Sequence, residues 1–431
     1  MCEFFTFEKN KKMKKVLLFA VALFSMLSFQ SCGGDDDKDL PPLPEEEEKK
    51  DDDNKKDDDA FVVSEWNDHA DASTDFLVTK YWRNGDSYNF FVINHIGSTY
   101  AGYWPQAHAM DVVIDGYLRN KELLKKTNDQ KYYKKMIAYS QYFDKWYAGI
   151  YKKNGNRYEN HYFDDMEWIA LTMIRLYEAT GVDKYLNTAK QLWDAIKTGW
   201  SDEIGGGLFW RGYDNASEKT SKNACSNGPG SLIACRLWAN GVDKAANLEW
   251  AKEIFEWEKA NLVDNSGKVA DNKDLTGKVT WWIFSYNQAT YMATAQELYH
   301  MTGDRSYLVD ACLAANYTLT NMCNNGILKV EGSTNGDDAG LFRAVFMRYF
   351  VNMALEEDLD GTTRNSYKIF LYNNSKTLWG TASNGNYYWS RDWTKSGIPS
   401  GEKDDNYDMQ CQTSGGTLIE ARAKYENAIA D

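Results

Sequence analysis

The chain has 431 residues, of which 43% are hydrophobic and 15% aromatic, and its formal net charge is −14. That length exceeds the ~100–200 residues of an ordinary domain, a range that α-barrels and α/β barrels often pass. With the two N-terminal segments described next set aside, −8 remains on the body of the chain, which argues against a nucleic-acid partner because phosphate recognition needs a basic footprint.

Residues 1–32 read as a lipoprotein signal. The basic stretch KNKKMKK precedes a short apolar run from Val16 to Phe24, then small or polar residues before Cys32, which is the layout of a secretory signal. The run is too short for a membrane span of roughly 20 apolar residues. Met13 reads as a plausible start, and lipidation of Cys32 would make it the mature N-terminus. Residues 33–59 carry 14 acidic and 5 basic side chains, too polar and self-repelling to bury a core, so a disordered tether is expected. The CGGDDDK start resembles the acidic signal of lipoproteins displayed on the outer membrane of gram-negative bacteria. A surface or periplasm-facing lipoprotein is the expected location, with the lipid anchor as its membrane contact, and residues 60–431 form the remaining domain.

From Ala60 onward only Pro105, Pro229 and Pro399 occur, which leaves long stretches free to be helical. Apolar residues recur at helical spacing over 66–82, 107–125, 131–151, 164–180, 183–198, 223–239, 243–260, 286–301, 304–322, 339–356, 363–378 and 412–428. That pattern predicts twelve helices in six hairpins. Three segments close a helix at Gly181, Gly241 or Gly303 and open the next with Asp, which marks a hairpin repeat of about sixty residues. Helices such as WIALTMIRLY, SLIACRLW and LFRAVFMRYFVNMAL are apolar nearly all round and must be buried. Partners such as YLNTAKQLWDAIK keep a charged face. The alternation predicts an all-α, double-layered barrel, although an open α-solenoid gives a similar pattern.

Loops leading into the apolar helices are long and chemically rich. In a closed ring they converge on one face, the candidate site. They bring Tyr103, Trp104, Tyr162, Phe163, Phe209, Trp210, Trp281, Trp282 and Tyr286 beside Asn, Gln, His and Asp. Aromatic faces suit the apolar side of a sugar ring, and amides and carboxylates suit its hydroxyls. The same aromatics could simply fill a barrel rim.

The stretch NHYFDDMEW contains adjacent carboxylates, Asp164 and Asp165. With Glu167 three residues after Asp164 it satisfies a capping-box pattern. It also supplies what glycoside cleavage needs, two carboxyls of which one is protonated, and adjacency favours the short separation of retaining enzymes. Mutual repulsion of such a pair raises one pKa and leaves one acid and one anion. Asp337 and Asp338 form a rival pair, read as substrate-binding or capping. Asp111, in PQAHAMD, lies inside an apolar helix and needs a partner. The five histidines show no metal-binding spacing, and no GxSxG elbow, phosphate loop or dinucleotide fingerprint is present. Cys225, Cys235, Cys312, Cys323 and Cys411 follow no disulfide framework and read as small buried hydrophobes.

The motifs YWPQAHAMDVVID, NHYFDDMEWIALTMIRLYEATG, GGGLFWRG…KNACSNGPGSLIACRLW, FSYNQATYMATAQELY and LFRAVFMRYF, in this order, resemble glycoside hydrolase family 76, the endo-α-1,6-mannanases. The resemblance covers about Trp66 to Glu426. It implies an (α/α)6 barrel, a retaining mechanism without metal or other cofactor, α-mannan or α-1,6-manno-oligosaccharides as substrate, and a monomer. By motif matching it implies Asp164 as nucleophile and Asp165 as general acid/base. Asn223, Asn227, Tyr286 and Asn287 fall in motifs that line the cleft of such enzymes. With Tyr103, Trp104, His108, Asp111, Tyr162, Trp210 and Asp338 they make up the expected substrate-binding set. A mannan transglycosylase and a non-catalytic glycan-binding lipoprotein are the alternatives.

Overall fold

The computed structural model describes residues 61–430 apart from 86–87, 333–337, 383–384 and 396–407. The signal, Cys32, the tether and Asp337 lie outside the described residues. The helices are α1 (Trp66–Tyr81), α2 (Tyr103–Thr127), α3 (Gln130–Ser140), α4 (Phe143–Lys153), α5 (Phe163–Thr180), α6 (Asp183–Lys197), α7 (Ala224–Ala239) and α8 (Lys244–Leu262). They continue with α9 (Ser285–Thr302), α10 (Arg305–Asn321), α11 (Ala339–Ala354), α12 (Gly361–Trp379) and α13 (Met409–Ile429).

One expected helix, 131–151, is two. Ser140 donates its hydroxyl back to the Ile137 carbonyl, and Tyr142 N–H bonds three residues back to Tyr139, which interrupts the regular ladder between α3 and α4. The glycine turns form as expected: Gly181 and Gly303 end α5 and α9 at φ of 73° and 75°, a conformation that glycine adopts without steric cost. Asp304 then caps α10 by accepting from Ser306 N–H at 2.9 Å.

The ring is closed. α2 packs on α5, α5 on α7, α7 on α9, α9 on α11 and α11 on α13, and α13 returns to α2. An open solenoid would leave α2 and α13 apart. The α3, α6, α8 and α10 helices each fold back on the inner helix before them, α12 packs on α11 and α13, and α1 lies on α13. The sixth layer pair is therefore made by the two ends of the helical domain. Inner helices are buried all round, as the sequence of α5 and α11 requires. On α13, 17 of 21 residues are buried although many are polar. Several have partners: Gln412 donates to the Tyr387 carbonyl at 2.9 Å, and Glu420 meets Arg119 at 2.8 Å, whereas Gln410 Oε1 and Ser414 Oγ have none among the described residues.

Short strands decorate the ends of the helices. β1 (Trp82–Gly85) and β2 (Tyr88–Phe91) form a hairpin, as do β6 (Cys323–Asn324) and β7 (Ile327–Leu328). β3 (Ser221–Asn223), β4 (Asn272–Asp274) and β5 (Val279–Thr280) form an antiparallel sheet. The five described cysteines are free, with Cys225, Cys235 and Cys411 buried.

Candidate active site

The long loops do converge. A cleft of about 590 Å³ opens at the N-terminal ends of the inner helices, lined by Tyr103 and Trp104 from α2, Asp164, Asp165 and Trp168 from α5, Cys225 from α7, Tyr286 from α9, and Asp338 and Phe342 at α11. Tyr162, Trp210, Ser221, Asn223, Asp271, Asn272 and Trp282 complete the wall from the connecting segments.

Asp164 and Asp165 sit in the first turn of α5, where unpaired backbone N–H groups make the helix end positive. No side chain caps this helix, and its N-cap residue is Tyr162, so the capping box expected of Asp164 and Glu167 does not form. The helix begins two residues earlier than that box requires, so the Met166 N–H, which a cap at Asp164 would serve, already bonds to the Tyr162 carbonyl at 3.4 Å, while Phe163 N–H donates to the Trp210 carbonyl at 2.9 Å and Tyr162 N–H to Asn160 Oδ1 at 3.0 Å. Glu167 instead lies fully buried in the barrel wall. Burial, reinforced by Asp164 and Glu258, pushes its carboxyl well above the usual range.

The loop that takes the Phe163 amide also positions the pair. The strand-like bridge of Tyr162 to Arg211 brings Trp210 over the helix end, where its indole donates to Asp164 Oδ2 at 3.2 Å. Arg211 packs over the Trp210 ring, 5.1 Å from its centroid. Both carboxyls are half-buried, surrounded by protein except toward the cleft. Burial raises the pKa of each. For Asp164 this rise is opposed by the neighbouring Cys225 thiol, the Trp210 indole and the Asp165 amide, while the charge of Asp338 adds to it. For Asp165 nothing opposes it, and the charges of Asp164 and Asp338 push further in the same direction. The pair is thus unequal: Asp164 ionises first, and Asp165 holds its proton longer.

Of the expected binding residues, Tyr103, Trp104, Tyr162, Trp210, Asn223, Tyr286 and Asp338 line the cleft. Tyr103 does so mainly as a strut, its hydroxyl donating to the Tyr158 carbonyl at 2.7 Å. Four others do not line it. Asn227 is fully buried and clamps the Leu208 backbone through 2.8 and 3.0 Å bonds, and Asn287 is buried beneath the wall. Asp111 has the partners its burial demands, Arg175 at 2.7 Å and Arg348 at 3.0 Å. His108 lies under the Trp104 and Trp168 rings and accepts at Nδ1 from Arg348 at 3.0 Å. Burial first, then Arg348 and Arg175, hold its pKa well below the usual value, so the ring is neutral.

Among the rim aromatics, Phe163 and Phe209 are buried away from the cleft. Trp168 and Phe342 were not expected in it. Each stands four residues after a cleft carboxylate, Asp164 or Asp338, and helical spacing alone would have put them on that face. Asp271, Asn272 and Ser221 arrive through pairing of β3 with β4, strands too short to carry a periodic signal.

An α/α barrel with two carboxyls in an aromatic cleft has the makings of a glycoside hydrolase. The chain belongs to glycosyl hydrolase family 76, whose model matches residues 65–429. It is therefore an enzyme of the glycoside hydrolase class. An inactive variant of an α-1,6-mannanase from Salegentibacter sp. HEL1_6, with two consecutive aspartates changed to asparagine and α-1,6-mannotriose bound, is 34% identical. The match covers 84% of this chain and 99% of that one, with a TM-score of 0.71. A structure from Listeria innocua is 30% identical over 84% of this chain and 97% of its own, with a TM-score of 0.69. Mannan endo-1,6-alpha-mannosidase DCW1 of Saccharomyces cerevisiae is 35% identical over 136 residues. That match spans 30% of this chain and 28% of the yeast protein.

Proposed function

We propose that the protein is an endo-acting, retaining α-1,6-mannanase that hydrolyses the α-1,6-linked backbone of mannan. The observation that carries this reading is the adjacent pair Asp164 and Asp165, set at one helix N-terminus in an aromatic cleft with unequal proton affinities. Support also comes from the Salegentibacter α-1,6-mannanase, whose inactive variants are changed at two consecutive aspartates and hold α-1,6-manno-oligosaccharides.

In this reading Asp164, which ionises first, is the nucleophile. Asp165 donates its proton to the glycosidic oxygen while Asp164 attacks the anomeric carbon. The bond to the leaving sugar breaks and a glycosyl ester forms on Asp164. Asp165, now a carboxylate, takes a proton from water, and the water oxygen attacks the same carbon and frees Asp164 with retention. The positive end of α5 favours the anionic form of the nucleophile, and the aromatic wall offers flat faces to the sugars.

The test is product analysis on linear α-1,6-manno-oligosaccharides. Asp164→Asn and Asp165→Asn should each lower kcat on the order of 10²–10⁴-fold. The first product seen by NMR should be the α-anomer. Wild-type rates in both variants would sink the residue assignment, and a β-anomer would overturn retention.

A further inference from the structure

Trp281 and Trp282 are adjacent, and both indoles are exposed, at 45% and 64%. They occupy the segment between β5 and α9, which has no regular secondary structure. The two rings have different surroundings. Trp281 is capped by the Lys268 ammonium, 4.4 Å from its ring centroid, and does not line the cleft. Trp282 lines the cleft, and among the described residues no other ring or cation packs on it.

The segment that carries Trp282 is pinned at both ends. Upstream, the β4–β5 turn is closed by Asp274, which accepts from Thr276 and Lys278 N–H at 2.9 and 3.0 Å. The Asp271 N–H bonds to the Thr280 carbonyl at 3.0 Å. Downstream, Ser285 N–H donates to Glu331 at 2.7 Å. A large apolar face held this firmly in solvent is preorganised for a ligand that covers it.

Its place in the ring indicates the ligand. Following the ring from α2 through α5 and α7, α9 is the third helix on, so the α9 loop with Trp282 stands opposite Trp104 on α2. The carboxyls of α5 and Asp338 of α11 are likewise three helices apart. A chain laid from the α2 wall to the α9 wall therefore runs between the carboxyl pair of α5 on one side and Asp338 of α11 on the other.

We propose that Trp282 is the stacking platform for a mannosyl unit bound away from the bond being cut, so that this one indole face reads substrate length. The proposal rests on the α-mannanase reading above. Binding at a remote unit lowers KM for chains long enough to reach it and leaves the chemistry of shorter ones alone.

The experiment compares wild type, Trp282→Ala and Trp282→Phe on linear α-1,6-manno-oligosaccharides of increasing length. For the longest, Trp282→Ala should raise KM roughly tenfold with kcat nearly unchanged. For the shortest substrate cleaved, both constants should match wild type, and Trp282→Phe should restore most of the loss. If wild type cuts the series but the alanine variant loses the same factor at every length, or none, the platform is wrong and the mannanase reading stands. If wild type cuts no member, both fall.

Discussion

At the scale of single residues, the chemistry depends on which carboxyl keeps its proton. Asp338 accepts the Trp104 indole N–H at 3.1 Å, and its charge raises both members of the aspartate pair. The mechanism proposed above needs Asp164 ionised and Asp165 protonated, so it predicts that activity falls at low pH as Asp164 protonates and at high pH as Asp165 ionises. With both carboxyls raised, the bell should sit above the range of ordinary carboxylates. Asp338→Asn keeps an acceptor for Trp104 but removes the charge, so both limbs of the kcat/KM profile should move to lower pH. An unmoved profile would show that Asp338 has no electrostatic part. The aspartate pair was legible as a candidate through its place at the start of an apolar helix where long aromatic loops meet, because its local pattern alone reads as a helix cap. The inequality was not, because it comes first from the Cys225 thiol and then from the Trp210 indole, both distant from Asp164 in sequence.

At the scale of elements, helical periodicity located every inner helix within a few residues, while caps and close contacts escaped it. The capping-box reading of Asp164 failed because α5 starts two residues earlier, with Tyr162 at its N-cap, so the Met166 amide is already bonded within the helix. On α13 the small residues have a reason visible only in three dimensions. A Cβ on Gly415 would lie 2.3 Å from the Trp389 ring, which is fully buried and donates its indole N–H to Ser73 on α1 at 2.9 Å. Gly415→Val should therefore destabilise by about 1–3 kcal/mol through overpacking, read as a lower denaturant midpoint. No change in midpoint would mean that Trp389 moves aside freely.

At the scale of the whole molecule, the seam that closes the ring is ionic as well as apolar. Arg119 of α2 meets Glu420 of α13 at 2.8 Å and Asp71 of α1 at 2.7 Å, with both the guanidinium and the Glu420 carboxylate almost wholly buried. Burial alone would raise the Asp71 carboxyl, but Arg119 holds it below the usual range. Removing the cation leaves two acids facing each other in the interior, so Arg119→Met should cost about 3–5 kcal/mol. Adding Glu420→Gln should return part of that loss. A single-variant cost near that of a surface pair would show that the seam is held by packing alone.

The sequence by itself determined the helices, their alternation of buried and amphipathic faces, and the end of the barrel where long loops meet, because those follow from local periodicity and from the one-sided placement of rich loops. It also carried the family, through ordered motifs. Tertiary structure alone decided that the ring closes, since an open solenoid has the same periodicity and only α13 meeting α2 distinguishes them. It decided too which polar residues face the cleft and which, like Asn227 and Asp111, satisfy buried backbone or buried charge. Polar side chains have no intrinsic direction along a helix buried on all sides; their partners, brought from distant parts of the chain, set it.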